Sequence, residues 1–233
     1  SGVIFKYPNV DGVHSAFVMH DYDEDGENEA LVFYQTSEEE NTRINILDKQ
    51  DGKWRSVGDV EGAGTNIDKL AFASLCRQDR VELIAEWSNV SGSERVLTVL
   101  TLEGGRLETL FSNEFSSKAI LDIDRDGMEE ILLLTGNSGM RQSLALLIEG
   151  ADDGTLTVVS SCAMSPNTYE YVQLVKTVTG SGEPALVVDG RVAGGAMVSE
   201  ILGLEKGELV NLVYSEDPQK DKTMETYRAY EVL

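Results

Sequence analysis

Short apolar runs bounded by polar turn residues recur along the whole chain. One set of runs lies just before glycine-centred turns: RINILD (43–48), VLTVLTL (96–102), SLALLIE (143–149) and VSEILGL (198–204). The turn glycines are Gly52, Gly105, Gly154 and Gly207, and another apolar run follows each of them. Asp-Gly and Gly-Gly pairs favour tight hairpins because the central residues of such turns adopt positive φ. The pattern therefore predicts a β-hairpin at each glycine.

A second pair of strand-like runs lies upstream of each hairpin. Its first members are SAFVMH (15–20), KLAFASL (69–75), SKAILDI (117–123) and YVQLVK (171–176). Its second members are EALVFY (29–34), VELIAEW (81–87), EILLLT (130–135) and EPALVVD (183–189). The turn glycines are spaced by 53, 49 and 53 residues (105 − 52, 154 − 105 and 207 − 154). Each unit thus holds four strands in roughly 50 residues, as propeller blades do.

These repeats predict an all-β fold, a β-propeller-like array of about four four-stranded antiparallel blades. We interpret 1–233 as a single repeat domain, with units at approximately 13–62, 67–113, 115–163 and 169–216. Residues 217–233 are a partial fifth strand or a tail, and TYRAYEVL has the pattern of the first strand of a fifth unit, which favours an incomplete, open array. A β-sandwich with regular turns is the alternative, since it also explains the hairpins. Only 218–229 carries a helical signal.

Two acidic stretches repeat one another 101 positions apart (122 − 21 = 101). The first contains Asp21, Asp23, Asp25, Gly26 and Glu29, and the second contains Asp122, Asp124, Asp126, Gly127 and Glu130. Oxygen ligands on alternate residues suit a hard cation such as Ca²⁺, which takes about six to eight oxygens. The glycine supplies the tight backbone that folds a loop around an ion. The sequence therefore predicts two cation-binding loops.

An EF-hand is excluded as the source of these loops. An EF-hand needs a bidentate Glu at position twelve and a helix on either side. Position twelve is Val32 in the first loop and Leu133 in the second, and both residues lie in strand-like runs. The acidic ligand instead falls at position nine, so the loops connect strands.

On these residues, the loops resemble the cation-binding loops of FG-GAP and VCBS repeats, found in integrin-type and bacterial surface β-propellers. The resemblance implies structural Ca²⁺ at both loops. The implied ligands are the carboxylates of Asp21, Asp23, Asp25, Glu29, Asp122, Asp124, Asp126 and Glu130, and the backbone carbonyls of Glu27 and Met128. Position nine of both loops is Glu, whereas Asp is more frequent in the family. Glu supplies the same carboxylate ligand on a longer side chain. More loosely, the chain resembles secreted lipoproteins of gut clostridia that carry such repeats.

The other two units lack these acids. Aligned on Glu82, the second unit has Ser74, Cys76 and Gln78 where the aspartates would lie. Aligned on Glu183, the fourth unit has Val175, Thr177 and Thr179. Without carboxylates neither loop is expected to hold a divalent cation, so we expect Ca²⁺ in units one and three only.

The net charge limits the classes of partner that this chain is expected to bind. With 19 basic and 41 acidic residues the net charge is −22, which repels nucleic acid and anionic membranes. No run approaches the ~20 apolar residues of a membrane span. We expect an extracellular or cell-surface, lipoprotein-like protein whose signal segment is not in this chain. Cys76 and Cys162 are expected to be buried thiols, not a disulfide.

No catalytic motif emerges, and neither histidine, His14 or His20, has a metal-ligand or nucleophile–base spacing. The expected function is therefore non-enzymatic: a calcium-binding repeat scaffold for an unknown protein or glycan ligand. The candidate binding loops join the second and third strands of each unit, at 35–42, 88–94, 135–142 and 189–197. The alternative is a carbohydrate-active enzyme or its accessory domain.

Overall fold

The computed structural model describes residues 2–22, 25–77, 80–92, 94–103, 106–136, 142–177, 184–212 and 230–232. Within these residues every regular element is a β-strand, so the prediction of an all-β protein is confirmed. No helix that could span a membrane occurs in the described ranges.

Four antiparallel meanders of four strands form the framework. The first contains β4 (Phe17–His20), β5 (Glu29–Thr36), β6 (Arg43–Gln50) and β7 (Lys53–Glu61). The second contains β8 (Asn66–Ala73), β9 (Glu82–Ser88), β10 (Arg95–Glu103) and β11 (Arg106–Glu114). The third contains β12 (Ser117–Leu121), β13 (Glu130–Thr135), β14 (Ser143–Gly150) and β15 (Leu156–Met164). The fourth contains β16 (Thr168–Thr177), β17 (Pro184–Arg191), β18 (Met197–Glu205) and β19 (Glu208–Asn211).

Two of the predicted glycine turns have the expected two-residue geometry, whereas Gly154, with a φ angle of 84°, lies in a longer loop between Gly150 and Leu156, and Gly105 lies outside the described residues. Asp51 and Gly52, between β6 and β7, have φ angles of 52° and 72°. Lys206 and Gly207, between β18 and β19, have φ angles of 57° and 82°. Two successive positive φ values match the right-handed twist of the flanking strands, so a two-residue loop closes each hairpin.

Three short strands near the N-terminus add to these sheets: β1 (Val3–Phe5), β2 (Asn9–Val10) and β3 (Val13–His14). Strand β1 pairs with β5 on the side that β4 also uses, while β2 pairs with β3 and, in parallel, with β8. The first unit is predicted to begin at residue 13, whereas Val13–His14 belongs to the second sheet. Local patterns identify such strands but do not reveal the sheet edge that each one joins.

The C-terminal strand β20 (Tyr230–Val232) pairs antiparallel with β16. Of the TYRAYEVL run only Tyr230–Val232 lies within the described residues, and this strand extends the fourth sheet, so the fifth unit stays a prediction. Pairing with β20 satisfies backbone groups that β16 would otherwise present unpaired along one edge of that sheet.

The chain divides into two compact units, and each contains two sheets. Ser1–Glu114 with Ala151–Leu156 forms the first unit, and Phe115–Gly150 with Thr157–Leu233 forms the second. In the first unit, alternate β5 residues Leu31 and Phe33 share a buried cluster with Leu83, Ala85 and Trp87 of β9. Burial of alternate residues on facing strands creates this core.

The second unit repeats this arrangement. Leu132 and Leu134 of β13 share a buried cluster with Leu186 and Val188 of β17. In both units the second strand of one sheet therefore packs toward the second strand of the following sheet.

Candidate metal centre

Both acidic loops connect the first and second strands of a meander. The first runs from His20, the last residue of β4, to Glu29, the first residue of β5. The second runs from Leu121, the last residue of β12, to Glu130, the first residue of β13. His20 pairs with Glu29 and Leu121 pairs with Glu130, so both loops close the end of an antiparallel ladder.

The loop between β12 and β13 brings its four acids together. One carboxylate oxygen from each of Asp122, Asp124, Asp126 and Glu130 lies within 4.8 Å of the others. Glu130 is only 4% exposed, whereas Asp124 and Asp126 are exposed to solvent. Four carboxylate oxygens at such separations fit the shell of one cation, since ligands on opposite sides of Ca²⁺ are about 4.6–5.2 Å apart. This cluster has the donor set to hold a metal ion.

Backbone amides hold these acids in place. Gly127 N donates to Asp122 Oδ2 at 3.1 Å, and Met128 N donates to Asp126 Oδ1 at 2.8 Å. Ile123 N donates to Glu130 Oε2 at 2.7 Å. The φ angle of Gly127 is 94°, a conformation that residues with a side chain rarely adopt. The loop is therefore pre-shaped by its own hydrogen bonds.

The loop between β4 and β5 has the same bonds, 101 positions earlier. Gly26 N donates to Asp21 Oδ2 at 3.0 Å, and Glu27 N donates to Asp25 Oδ1 at 2.8 Å. Tyr22 N donates to Glu29 Oε2 at 2.7 Å. The φ angle of Gly26 is 91°. The repeat seen in the sequence is thus also a repeat of hydrogen-bond geometry.

A buried carboxylate oxygen in each loop has no hydrogen-bond partner among the described residues. The Oδ1 atoms of Asp21 and Asp122 are buried and accept no hydrogen bond from the described residues. A buried carboxylate oxygen without a partner is costly, because it has lost water and gained nothing in exchange. Both atoms belong to the first acid of a predicted ligand set, which is where a cation would compensate them.

Burial and charge act together on Glu130. Burial, with repulsion from Asp124, Asp122 and Asp126, raises the pKa of Glu130 to about 8, although the hydrogen bond from Ile123 acts in the opposite direction. Burial also raises the pKa of Glu149 above its ordinary value, and Asp124 and Asp126 add to this effect. Sequence reasoning missed Glu149 because it lies on β14, away from the loop.

The structure describes some of the predicted ligands only in part. Asp23 lies outside the described residues, so the first loop is seen through Asp21, Asp25 and Glu29. The carbonyl role of Glu27 and Met128 stays a prediction, since the structure gives only the bonds of their amides.

The loop between β8 and β9, in the second meander, also has a glutamate at the start of its second strand, and an arginine lies beside it. Leu75 N donates to Glu82 Oε2 at 2.9 Å, as in the two acidic loops. Arg80 Nε lies 3.4 Å from Glu82 Oε1, and the Glu82 side chain is fully buried. In three meanders, therefore, a glutamate at the start of the second strand accepts a hydrogen bond from a backbone N–H of the preceding loop. In the second meander the guanidinium of Arg80 lies beside this glutamate.

The remaining loops of this kind are only partly described. Gln78 and Asp79, in the loop between β8 and β9, lie outside the described residues. The loop between β16 and β17 is also outside them beyond Thr177. The predicted lack of a cation site in the fourth unit is therefore neither supported nor opposed.

The chain matches no protein-family model and no curated protein sequence. Among solved structures it is similar to two rhamnogalacturonan lyases. The exotype enzyme YesX is 13% identical with a TM-score of 0.49, and the match covers 84% of this chain and 37% of that chain. The enzyme YesW is 12% identical with a TM-score of 0.50, and the match covers 84% of this chain and 39% of that chain. The chain thus spans less than two-fifths of either lyase, and the likeness to YesW concerns the fold alone.

Proposed function

We propose that this chain is a calcium-binding repeat scaffold in which one structural Ca²⁺ occupies each acidic loop. The observation that carries the proposal is the buried Oδ1 of Asp122, unpartnered beside three further carboxylates. The same orphan oxygen at Asp21 supports an equivalent site in the first loop. The ligands are Asp21, Asp23, Asp25 and Glu29 in one loop, and Asp122, Asp124, Asp126 and Glu130 in the other.

The donor chemistry favours calcium. Every described acid of the cluster offers oxygen, and no thiolate or imidazole belongs to it. Oxygen-only sites suit Ca²⁺, Mg²⁺ or Mn²⁺ better than softer metals. Mg²⁺ requires a tighter octahedron and keeps several waters, so a loop offering several carboxylates and a carbonyl suits Ca²⁺ better.

The cation would stabilise the junction between the first two strands of its meander. It would replace mutual repulsion among four carboxylates by coordination, at the point where Glu130 also anchors the backbone of Ile123. Binding to the folded state alone adds RT ln(1 + [L]/Kd), or about 2.7 kcal/mol per site at a hundredfold excess over Kd.

We propose a propeller-like repeat, of the kind that the FG-GAP and VCBS resemblance implies, as the arrangement of the four meanders. Glu29 and Glu82 are equivalent residues of the first and second sheets. The buried cluster between these sheets uses the face of the first that carries Glu29 and Leu31. From the second sheet it uses Leu83 and Ala85, which lie on the face opposite Glu82. When one face of a sheet packs against the opposite face of the next sheet, the same contact can repeat along a series of sheets, as in a propeller. A two-sheet sandwich forms this contact only once. The sandwich remains the alternative.

The ligand is proposed to be a protein or a glycan, bound by the loops after the second strand of each meander. Exposed apolar side chains lie in or next to two of these loops: Val90, between β9 and β10, is 83% exposed, and Met197, the first residue of β18, is 48% exposed. The net charge of −22 argues against nucleic acid and anionic membrane surfaces. An extracellular or cell-surface, lipoprotein-like location is proposed because free calcium there is high enough to fill such loops.

A carbohydrate-active enzyme or its accessory domain is the second candidate. YesW, which this chain resembles in fold, is a rhamnogalacturonan lyase. A screen separates the candidates: binding on a glycan array without turnover supports the scaffold, and cleavage of rhamnogalacturonan supports the enzyme.

Thermal unfolding tests the structural role of calcium. The melting temperature should rise with Ca²⁺ and fall with EDTA, and Mg²⁺ should substitute poorly. A melting temperature that is the same in Ca²⁺ and in EDTA would contradict the proposal.

A further inference from the structure

A fifth acid stands beside each acidic loop, on the third strand of the meander. In the first sheet Ala30 pairs with Leu47, so the next residues along the ladder are Glu29 and Asp48. In the third sheet Ile131 pairs with Ile148, so the next residues are Glu130 and Glu149. Directly opposite residues of an antiparallel pair share a face, with Cβ atoms about 4.5–5.5 Å apart. Extended by one residue, this register places Asp48 opposite Glu29 and Glu149 opposite Glu130.

The second sheet provides the comparison. There Leu83 pairs with Leu100, and the next residues along the ladder are Glu82 and Thr101. The aspartate positions of that loop hold Ser74 and Cys76 in place of acids. The third-strand acid is thus present beside both acidic loops and is replaced by Thr101 beside Glu82. In the fourth sheet, where Ala185 pairs with Gly203, the corresponding third-strand residue is Glu205.

The charges of the loop reach this position. Asp124 and Asp126 both act electrostatically on Glu149, whose side chain is half-buried. Asp48 is half-buried as well and accepts a hydrogen bond from Gln50 Nε2 at 3.2 Å. An acid placed next to four other carboxylates is unfavourable unless a cation offsets their repulsion.

We propose that Asp48 and Glu149 are affinity-setting residues of the two cation sites, each adding a fifth negative charge next to the ninth-position glutamate. This inference rests on the proposed calcium function. Each residue acts on the ion through the charge of its carboxylate and is not a further member of the loop's ligand set. Removing the charge should weaken cation binding without unfolding the metal-free protein.

The test isolates one site at a time in the full chain. Glu149→Gln is made in a D23N/D25N background, which leaves only the third-sheet site, and Ca²⁺ affinity is measured by titration calorimetry. Asp152→Asn is the matched control, because Asp152 is an exposed acid in the following turn and its loss changes the net charge equally. Asp48→Asn in a D124N/D126N background, with Asp51→Asn as control, tests the other site.

The expected result is about tenfold weaker Ca²⁺ binding for Glu149→Gln, the lower end of the range for outer-shell partners of a metal. Asp152→Asn should weaken binding less than about twofold, and the calcium-free melting temperature should not fall in Glu149→Gln. Equal affinities in the variant and its control would overturn the inference. A lower calcium-free melting temperature with unchanged affinity would also overturn it, by assigning Glu149 a structural role. If the D23N/D25N background itself binds no Ca²⁺, the proposed function fails first.

Discussion

The carboxylate of Glu130 accepts a hydrogen bond from the backbone N–H of Ile123 at 2.7 Å. This bond ties the start of one strand to the loop that leaves the previous strand, and Glu29 and Glu82 make the same bond in their own sheets. The glutamate thus has a structural task that does not depend on a metal. The aspartates around it then determine whether the loop can also hold a cation.

The raised pKa of Glu130 predicts a pH dependence of the calcium-free protein. Because its pKa rises from an ordinary 4.5 to about 8 on folding, its contribution to stability is full below about pH 4.5 and is lost as pH rises through 8. Glu130→Gln resembles the protonated carboxyl group and keeps an oxygen that can accept the hydrogen bond from the Ile123 N–H. The melting temperature of calcium-free Glu130→Gln, minus that of the wild type, should therefore increase from pH 5 to pH 8. A constant difference would show that burial does not perturb this carboxyl.

Arg80 is predicted to stabilise the second sheet independently of calcium. Its side chain is 15% exposed and that of Glu82 is 0% exposed, so Arg80→Gln leaves a buried carboxylate without its counter-charge. The expected loss is about 3 kcal/mol, the same in Ca²⁺ and in EDTA. Chemical denaturation measures it. Arg191→Gln is the control, since its partner Glu170 is 46% exposed and the expected loss is below about 1 kcal/mol. Equal losses in the two variants would remove the special role of Arg80.

Gly62 is predicted to be intolerant of a side chain. A Cβ at this position would lie 2.1 Å from Cζ3 of Trp87 and 2.8 Å from the carbonyl oxygen of Thr42, and Trp87 is only 1% exposed. Gly62→Ala should lower the free energy of unfolding by about 2 kcal/mol, as overpacking of a well-packed core does. Gly2→Ala, which meets nothing within 4 Å, should be neutral. An unchanged denaturation midpoint for Gly62→Ala would contradict this packing.

The two thiols are predicted to be inert in the folded protein. Burial, with repulsion from Glu82, raises the pKa of Cys76 to about 11, and burial with repulsion from Glu200 raises that of Cys162 to about 12. At pH 8 the thiolate fraction is on the order of one in a thousand or less, and only the thiolate reacts. Both cysteines should react with a thiol reagent only after unfolding, giving two equivalents. Rapid reaction of the native protein would contradict this environment.

Short-range pattern predicted most of the framework. Alternating apolar runs and Asp-Gly turns identify strands such as β6 and β7, because both depend on neighbouring residues. The repeated acids likewise identified the loops, and the positive φ of Gly26 and Gly127 followed from the glycine alone.

Long-range pairing could not be predicted in the same way. The parallel contact of Asn9 with Lys69 and the docking of β20 on β16 depend on which sheet edges are unpaired. Arg80 and Glu149 were missed for a related reason. Arg80 acts through a contact with a carboxylate that only the folded loop buries, and Glu149 adjoins Glu130 only through the register of β13 and β14.

Counting the bound calcium ions by titration calorimetry tests the central claim most directly. The account predicts two ions per chain, one ion in D124N/D126N, and one ion in D23N/D25N. A D51N/D152N control removes the same charge from exposed turns outside the ligand sets and should keep both ions. Absence of binding, or the same number of ions in the control and in both loop variants, would contradict the account.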